Sequence, residues 1–163
     1  MPAANSAGLT IAACIAALAL SAGAADAEPG FAWMADSFEG NASLAYGSTE
    51  TGEDYVFSLV CGNKDKSSKT TLYVDIPGTE VGQPITIELA AGSAKVSLPG
   101  EIATDEMSGF HFAEAKNFKI KPVIALLKKK GPATAKTGKL VSTLPDKERA
   151  AAVSAFARAC KLD

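Results

Sequence analysis

One histidine, three cysteines and a single tryptophan leave this chain short of the side chains that most often carry enzyme chemistry. It holds no phosphate-binding loop, no dinucleotide glycine fingerprint, no Gly-x-Ser-x-Gly elbow and no His-Glu-x-x-His pair. Those gaps remove the usual sequence grounds for nucleotide, serine-hydrolase or zincin chemistry, and no cofactor is implied. The calcium-loop spacing Asp-x-Asp-x-Asp-Gly is also absent. So is any apolar run long enough to span a bilayer, which takes about 20 residues.

What is present begins at the amino terminus. Leu9 to Leu20 is an uncharged apolar run of 12 residues, followed by small residues up to Ala25-Asp26-Ala27. This pattern predicts a secretory signal peptide over residues 1–27, cleaved after Ala27, although the segment before the run carries no lysine or arginine. The mature protein is then periplasmic or secreted. An alternative takes Ile11-Ala12-Ala13-Cys14 as a lipoprotein signal, but an apolar stretch, Ile15 to Leu18, follows the cysteine where a polar tether belongs.

Cleavage would remove Cys14 and leave Cys61 and Cys160 in an oxidising compartment, where a disulfide is expected. Such a bond closes a loop of about 100 residues, for which the chain-entropy estimate is roughly 4.7 kcal/mol. Two unpaired buried thiols are the alternative. The remaining 136 residues suffice for one domain with a real core.

The formal net charge of −2 conceals a strong asymmetry. Residues 28–115 hold 14 acidic and 4 basic side chains, whereas residues 116–163 hold 3 acidic and 12 basic ones. Lys116, Lys119, Lys121, Lys128, Lys129, Lys130, Lys136 and Lys139 follow one another with no acid between them. If they share a face, they form a candidate anion-binding surface, suited to peripheral contact with anionic headgroups. If instead the two halves pair across one fold, the charges largely meet each other. That stretch contains no arginine and only one aromatic, Phe118, which argues against nucleic acid.

Strands dominate the middle of the chain. Tyr55, Phe57, Leu59 and Cys61 are expected on one face of a central strand. After a polar turn at 62–69, Leu72, Val74 and Ile76 alternate with Thr71, Tyr73 and Asp75. Ile85, Ile87 and Leu89 pair as a hairpin with Ala94, Val96 and Leu98, and in a further strand His111 is expected half-exposed, with Phe110 and Phe112 on the opposite face. Short strands separated by Gly and Pro predict antiparallel pairing, hence a mainly β fold, a sandwich or small barrel.

Helices come late. Pro122 is expected at the first position of one helix, with Val123, Leu126 and Leu127 inward and Lys128–Lys130 in the last turn. Residues 135–143 return as a strand. A final helix opens at Pro145, with Asp146 and Glu148 in its first turn and Val153, Phe156, Ala157 and Cys160 as its apolar stripe.

Candidate sites are few. His111 would need Glu101, Asp105, Glu106 or Glu114 to make a metal site or a general base, and their spacing matches no metal pattern. Glu50, Glu53 and Asp54 with Thr49 and Thr51 suit a solvated loop before a strand. Trp33, Phe38 and Tyr46 either line an exposed binding strip or pack an N-terminal strand into the core.

From Val81 onward the order of features resembles the invasion-associated locus B family of small exported bacterial proteins. The similar pieces are Gly82-Gln83-Pro84-Ile85-Thr86-Ile87, Val96-Ser97-Leu98-Pro99, Ile124 to Gly131, and a closing amphipathic segment through Phe156. That family often has cysteines after the Leu-Pro element, and Glu101 to Phe110 has none. The resemblance implies a compact β-rich periplasmic protein linked to the envelope or to host interaction, and it assigns no functional residue. The expected function is a non-catalytic binding protein acting on an envelope component or a partner protein, for instance as an inhibitor of a secreted enzyme. The alternatives are a small hydrolase or metal-assisted enzyme around His111, and a structural envelope protein.

Overall fold

Among the described residues, alternating burial marks nine strands. β1 (Phe31–Phe38), β2 (Asn41–Ser48), β3 (Tyr55–Gly62), β4 (Ser68–Leu72), β5 (Pro84–Ala91), β6 (Ala94–Thr104) and β7 (His111–Lys116) come first. They are followed by α1 (Ile120–Leu127), β8 (Ala133–Thr137), β9 (Leu140–Leu144) and α2 (Arg149–Ala159). The structure is a computed structural model that describes residues 28–51, 54–62 and 67–162. The expected leader 1–27, with Cys14, and Glu53 of the acidic loop lie outside the described residues.

Every strand pair is antiparallel, and the strands form one sheet in the order β1-β2-β3-β4-β7-β6-β5-β8-β9. This is the mainly β architecture that the alternation predicts. The sheet curls into a half-barrel, and the two helices fill the concave side that a second sheet would occupy in a sandwich. The curl turns on β6, which pairs with β5 through residues 94–101 and with β7 through 101–104. At the changeover, a Cβ on Gly100 would collide with the Glu114 carbonyl oxygen and lie 3.2 Å from Ala115 Cα. Only glycine lets β7 approach this closely.

The core lies between the concave face and the helices. Phe57, Leu59 and Cys61 of β3, Ile87 and Leu89 of β5, and Leu98 of β6 point into it, as their alternation predicts. Val123, Leu126 and Leu127 of α1 and Val153, Phe156 and Ala157 of α2 meet them. Trp33 and Tyr46 are buried, with ring centroids 5.4 Å apart. Phe38 is 72% exposed, which corrects the grouping of all three aromatics. Five positions from Trp33, it has the opposite strand parity and cannot share a face with it.

Three expected boundaries move. β4 occupies Ser68–Leu72, so it takes in part of the expected polar turn and stops before Val74 and Ile76. Its polar residues face inward because they find partners. Ser68 Oγ donates to the Phe118 carbonyl at 2.7 Å and accepts from Phe118 N at 2.8 Å, while Thr70 Oγ1 donates to Ser58 O at 2.8 Å. α1 starts two residues before Pro122, a position within the first turn where a missing N–H costs nothing. Lys128 caps that helix, and Lys129 and Lys130 lie beyond it rather than in the last turn. α2 begins at Arg149, leaving Pro145, Asp146 and Glu148 outside it.

Arg149 explains the last two shifts. It is wholly buried. Its guanidinium donates to the carbonyls of Leu127 (2.9 Å), Leu144 (2.8 Å), Pro145 (3.1 Å), Lys129 (2.6 Å) and Gly131 (2.6 Å). Asp146 Oδ1 accepts a further bond at 3.2 Å, and Asp146 Oδ2 accepts from Gly131 N at 2.9 Å. The cation that satisfies the open carbonyls after α1 is therefore Arg149, arriving from the far end of a hairpin. Burial lowers its pKa from the ordinary arginine value, against the opposing charge of Asp146, and arginine stays protonated throughout the physiological range. Pro145 O also accepts from Trp33 Nε1 at 2.9 Å, so β1 is tied to the same segment.

Cys61, near the end of β3, and Cys160, directly after α2, are bonded with Cα atoms 6.1 Å apart. The bond pins the last helix to the central strand. Among the described residues no helix is long and apolar enough to cross a membrane.

Candidate functional site

The outer face of the sheet carries a row of four aromatic rings. Tyr55 opens β3, Tyr73 follows β4, Phe112 lies in β7 and Phe110 just precedes it. Ring centroids are 6.0 Å apart for Tyr55–Tyr73, 5.3 Å for Tyr73–Phe112 and 5.7 Å for Phe112–Phe110, and all three pairs are tilted. Ala113 and Ala115 of β7 are wholly buried on the concave side, so Phe112 between Ala113 and the turn faces outward. All four rings are half-buried, and none belongs to the core cluster or to the residues packed against it. Aromatic area kept out of a core in a contiguous strip is typical of contact surfaces.

Tyr55 was expected inward with Phe57, and the structure corrects this. Tyr46 pairs with Phe57 but Gly47 pairs with Tyr55, a bulge that gives β3 one extra residue and turns Tyr55 to the outside. Gly47 makes the bulge possible. A Cβ there would stand 2.6 Å from Asp54 O and 2.8 Å from Tyr55 Cδ1. Tyr73 falls on the solvent side of its alternation, so its exposure was legible in the sequence. Phe112 was expected opposite a half-exposed His111, and the structure reverses the two, with Phe112 outward and His111 sharing the parity of buried Ala113 and Ala115. The adjacency of Tyr73 and Phe112 was not legible, because β4 and β7 are neighbours only through the crossover in the sheet order.

The loops bordering the row carry charge of one sign. Among the described residues, the stretches 49–51, 54, 73–83 and 105–110 contain Glu50, Asp54, Asp75, Glu80, Asp105 and Glu106, with no lysine or arginine. Glu50, Asp54, Asp75, Glu80 and Glu106 are exposed, as is Met107, at 97%, on the β6–β7 turn. Asp105 is used locally. Its Oδ1 accepts from Ser108 N (2.7 Å), Ser108 Oγ (2.8 Å) and Met107 N (3.0 Å), and the bond from Ser108 N does most to hold its carboxyl below the ordinary 3.8. Asp54 Oδ2 likewise accepts from Thr51 Oγ1 at 3.1 Å, and Thr49, Glu50, Thr51 and Asp54 are all exposed.

Further along the same face, Glu114 is gripped by two lysines. Lys116 Nζ lies 2.6 Å from Glu114 Oε1 and 3.2 Å from Glu101 Oε1, and Lys69 Nζ lies 3.2 Å from Glu114 Oε2. Burial pulls the Glu114 pKa upward and is the largest single influence. The hydrogen bond from Lys116, with the charge and bond of Lys69, outweighs it and holds the group below its ordinary 4.5. Lys116 is raised in turn, chiefly by its bond to Glu114.

His111 is separated from these acids. It has the inward parity of Ala113 and Ala115, whereas Glu114 and its partner Glu101 face outward. Its Nδ1 lies 3.2 Å from Thr79 Oγ1, whose single proton goes to Ile76 O at 2.7 Å. With that proton committed, the hydroxyl accepts from the ring Nδ1–H. The main chain joins in, with Ile76 N donating to His111 O at 2.9 Å. The imidazole braces the 73–83 loop against β7. Among the described residues no three His, Cys, Asp or Glu side chains gather closely enough to hold a metal ion.

Two of the eight lysines meet acids. Lys116 pairs with Glu101 and Glu114, and Lys136 pairs with Glu88 at 3.3 Å across β8 and β5. Lys119 and Lys121 stand at the start of α1, Lys128–Lys130 follow its end, and Lys139 sits in the β8–β9 turn. A cleft of about 300 Å³ beside the disulfide is lined by Cys61, Ser68, Phe118, Ile120 and Leu162, with Lys161 its only charged lining residue among the described residues.

Comparison with known proteins adds no relative: no family model, no curated protein and no solved structure matches this chain.

Proposed function

We propose that this chain is an exported, non-catalytic binding protein that meets a partner through the aromatic row on the outer face of β3, β4 and β7. One observation carries the proposal. Tyr55, Tyr73, Phe112 and Phe110 touch in series on a sheet face that the helices leave open, outside the core. Large rigid aromatics in such a strip give contact area at low entropic cost. Export is supported by the leader pattern and by the Cys61–Cys160 bond, which persists in oxidising compartments. A β-rich exported protein that acts by contact is also what the resemblance to the invasion-associated locus B family implies.

Site-specific photocrosslinking in the producing cells tests this. A benzophenone amino acid placed at Phe112 should yield a discrete adduct, and one placed at Thr86, on the outer face of β5, should not. The captured partner, once purified, should bind the native chain and lose affinity for Tyr73→Ala. Equal adducts at both positions, or partner binding unchanged in Tyr73→Ala, would overturn the proposal.

A further inference from the structure

The charge around the row indicates what lies on it. We infer that the partner is a basic protein whose contacting surface presents arginine and lysine side chains. This inference rests on the row being the contact face and adds the chemistry of what it contacts.

Two features of the surface point the same way. The rings of Tyr55, Tyr73, Phe112 and Phe110 offer π faces and edges that are partly open to solvent. Cations, guanidinium above all, are attracted to such faces because of the ring quadrupole. Around them, Glu50, Asp54, Asp75, Glu80 and Glu106 are exposed, and no lysine or arginine occurs among the described residues of the bordering stretches. The basic side chains further along β4 and β7, Lys69 and Lys116, are engaged by Glu114 and Glu101 and add no positive field of their own. A low-dielectric aromatic strip ringed by carboxylates repels anionic partners and steers cationic ones. Met107, almost fully exposed beside Phe110, extends the apolar contact and adapts its shape readily.

This arrangement disfavours the other occupants. Among the described residues, an anionic lipid or nucleic acid meets the exposed carboxylates of Glu50, Asp54, Asp75, Glu80 and Glu106. A neutral glycan would stack on the rings but gains nothing from the charge.

The test uses the oxidised full chain, with deca-arginine, deca-glutamate and chitotetraose as probes, followed through the aromatic ring resonances. Deca-arginine should shift the signals of Tyr55, Tyr73, Phe110 and Phe112 and lose affinity steeply between low and physiological salt. Tyr73→Ala should weaken it, and Tyr73→Phe should restore it. Asp75→Lys combined with Glu106→Lys alters only exposed side chains and leaves the rings in place. It should weaken deca-arginine by at least ~10-fold at low salt. If chitotetraose shifts the row and deca-arginine does not, the contact face stands and the basic partner is wrong. If deca-arginine binds but shifts no row signal, or binds equally well to both variants, the inference fails. If none of the probes moves the row, and crosslinking at Phe112 also gives no adduct, both proposals fail.

Discussion

Replacing Arg149 should be among the most damaging single changes to this fold. The side chain is wholly buried and donates to five carbonyls and one carboxylate drawn from α1, β9 and the loops at 129–131 and 145–146. Arg149→Met keeps most of the volume and removes every donor. Each buried acceptor left without a partner costs about 1–3 kcal/mol, yet such losses are not additive and relaxation lets in water. Removing one member of a buried charged network costs about 3–5 kcal/mol, and that range is expected here. Arg149→Lys retains the charge with three donors, too few for five carbonyls, so it should recover only part of the loss. For a domain of this size about 1 kcal/mol corresponds to roughly 3–5 °C in Tm, so Arg149→Met should melt lower by ~10–20 °C. Urea titration of the oxidised chain should show the same order, wild type above Arg149→Lys above Arg149→Met. A loss below about 1 kcal/mol for Arg149→Met would refute the assignment of this residue as the clasp between the helices and the β8–β9 hairpin.

Other expectations follow from the same geometry. Cys160→Ala should lower stability by about 4 kcal/mol, and dithiothreitol should destabilise the native chain while leaving the variant unchanged; equal responses to the reductant would refute a native bond. Gly100→Ala must push against the Glu114 main chain and should cost at least ~3 kcal/mol or prevent folding, whereas Gly131→Ala has open space and only positive-φ strain, about 1 kcal/mol. Gly47→Ala should cost about 1–3 kcal/mol and displace the Tyr55 ring, visible as loss of the nuclear Overhauser contacts between Tyr55 and Tyr73. Because the folded Glu114 pKa lies below its ordinary value, its stabilisation is complete above pH 4.5 and is lost as pH falls through the folded value. The stability gap between native protein and Glu114→Gln should therefore shrink on acidification below pH 4.5, and a gap that widens there would contradict the Lys116–Glu114–Lys69 arrangement.

The sequence by itself determined the class of the fold and most of the inward faces. Period-two alternation is a local property, so Phe57, Leu59, Ile87, Leu89 and Leu98 could be assigned to the core before any partner strand was known. The stripe Val153, Phe156, Ala157 placed the last helix with equal directness, and the leader pattern, which leaves Cys61 and Cys160 as an even pair in an oxidising compartment, already suggested what holds it. Tertiary structure decided the rest, because the rest depends on neighbours distant in sequence. A bulge opposite Gly47 reversed Tyr55, and inward-facing Ser68 and Thr70 became core residues once Phe118 and Ser58 supplied their hydrogen bonds. Arg149, which has no helical or polar pattern to announce it, became the centre of a carbonyl cluster gathered from three elements. The candidate site is of the same kind. Of its aromatics only Tyr73 was visible as a solvent-side residue of its own strand, and it takes the bulge at Gly47 and the β3-β4-β7 order to bring the four rings into one row with the acidic loops around it.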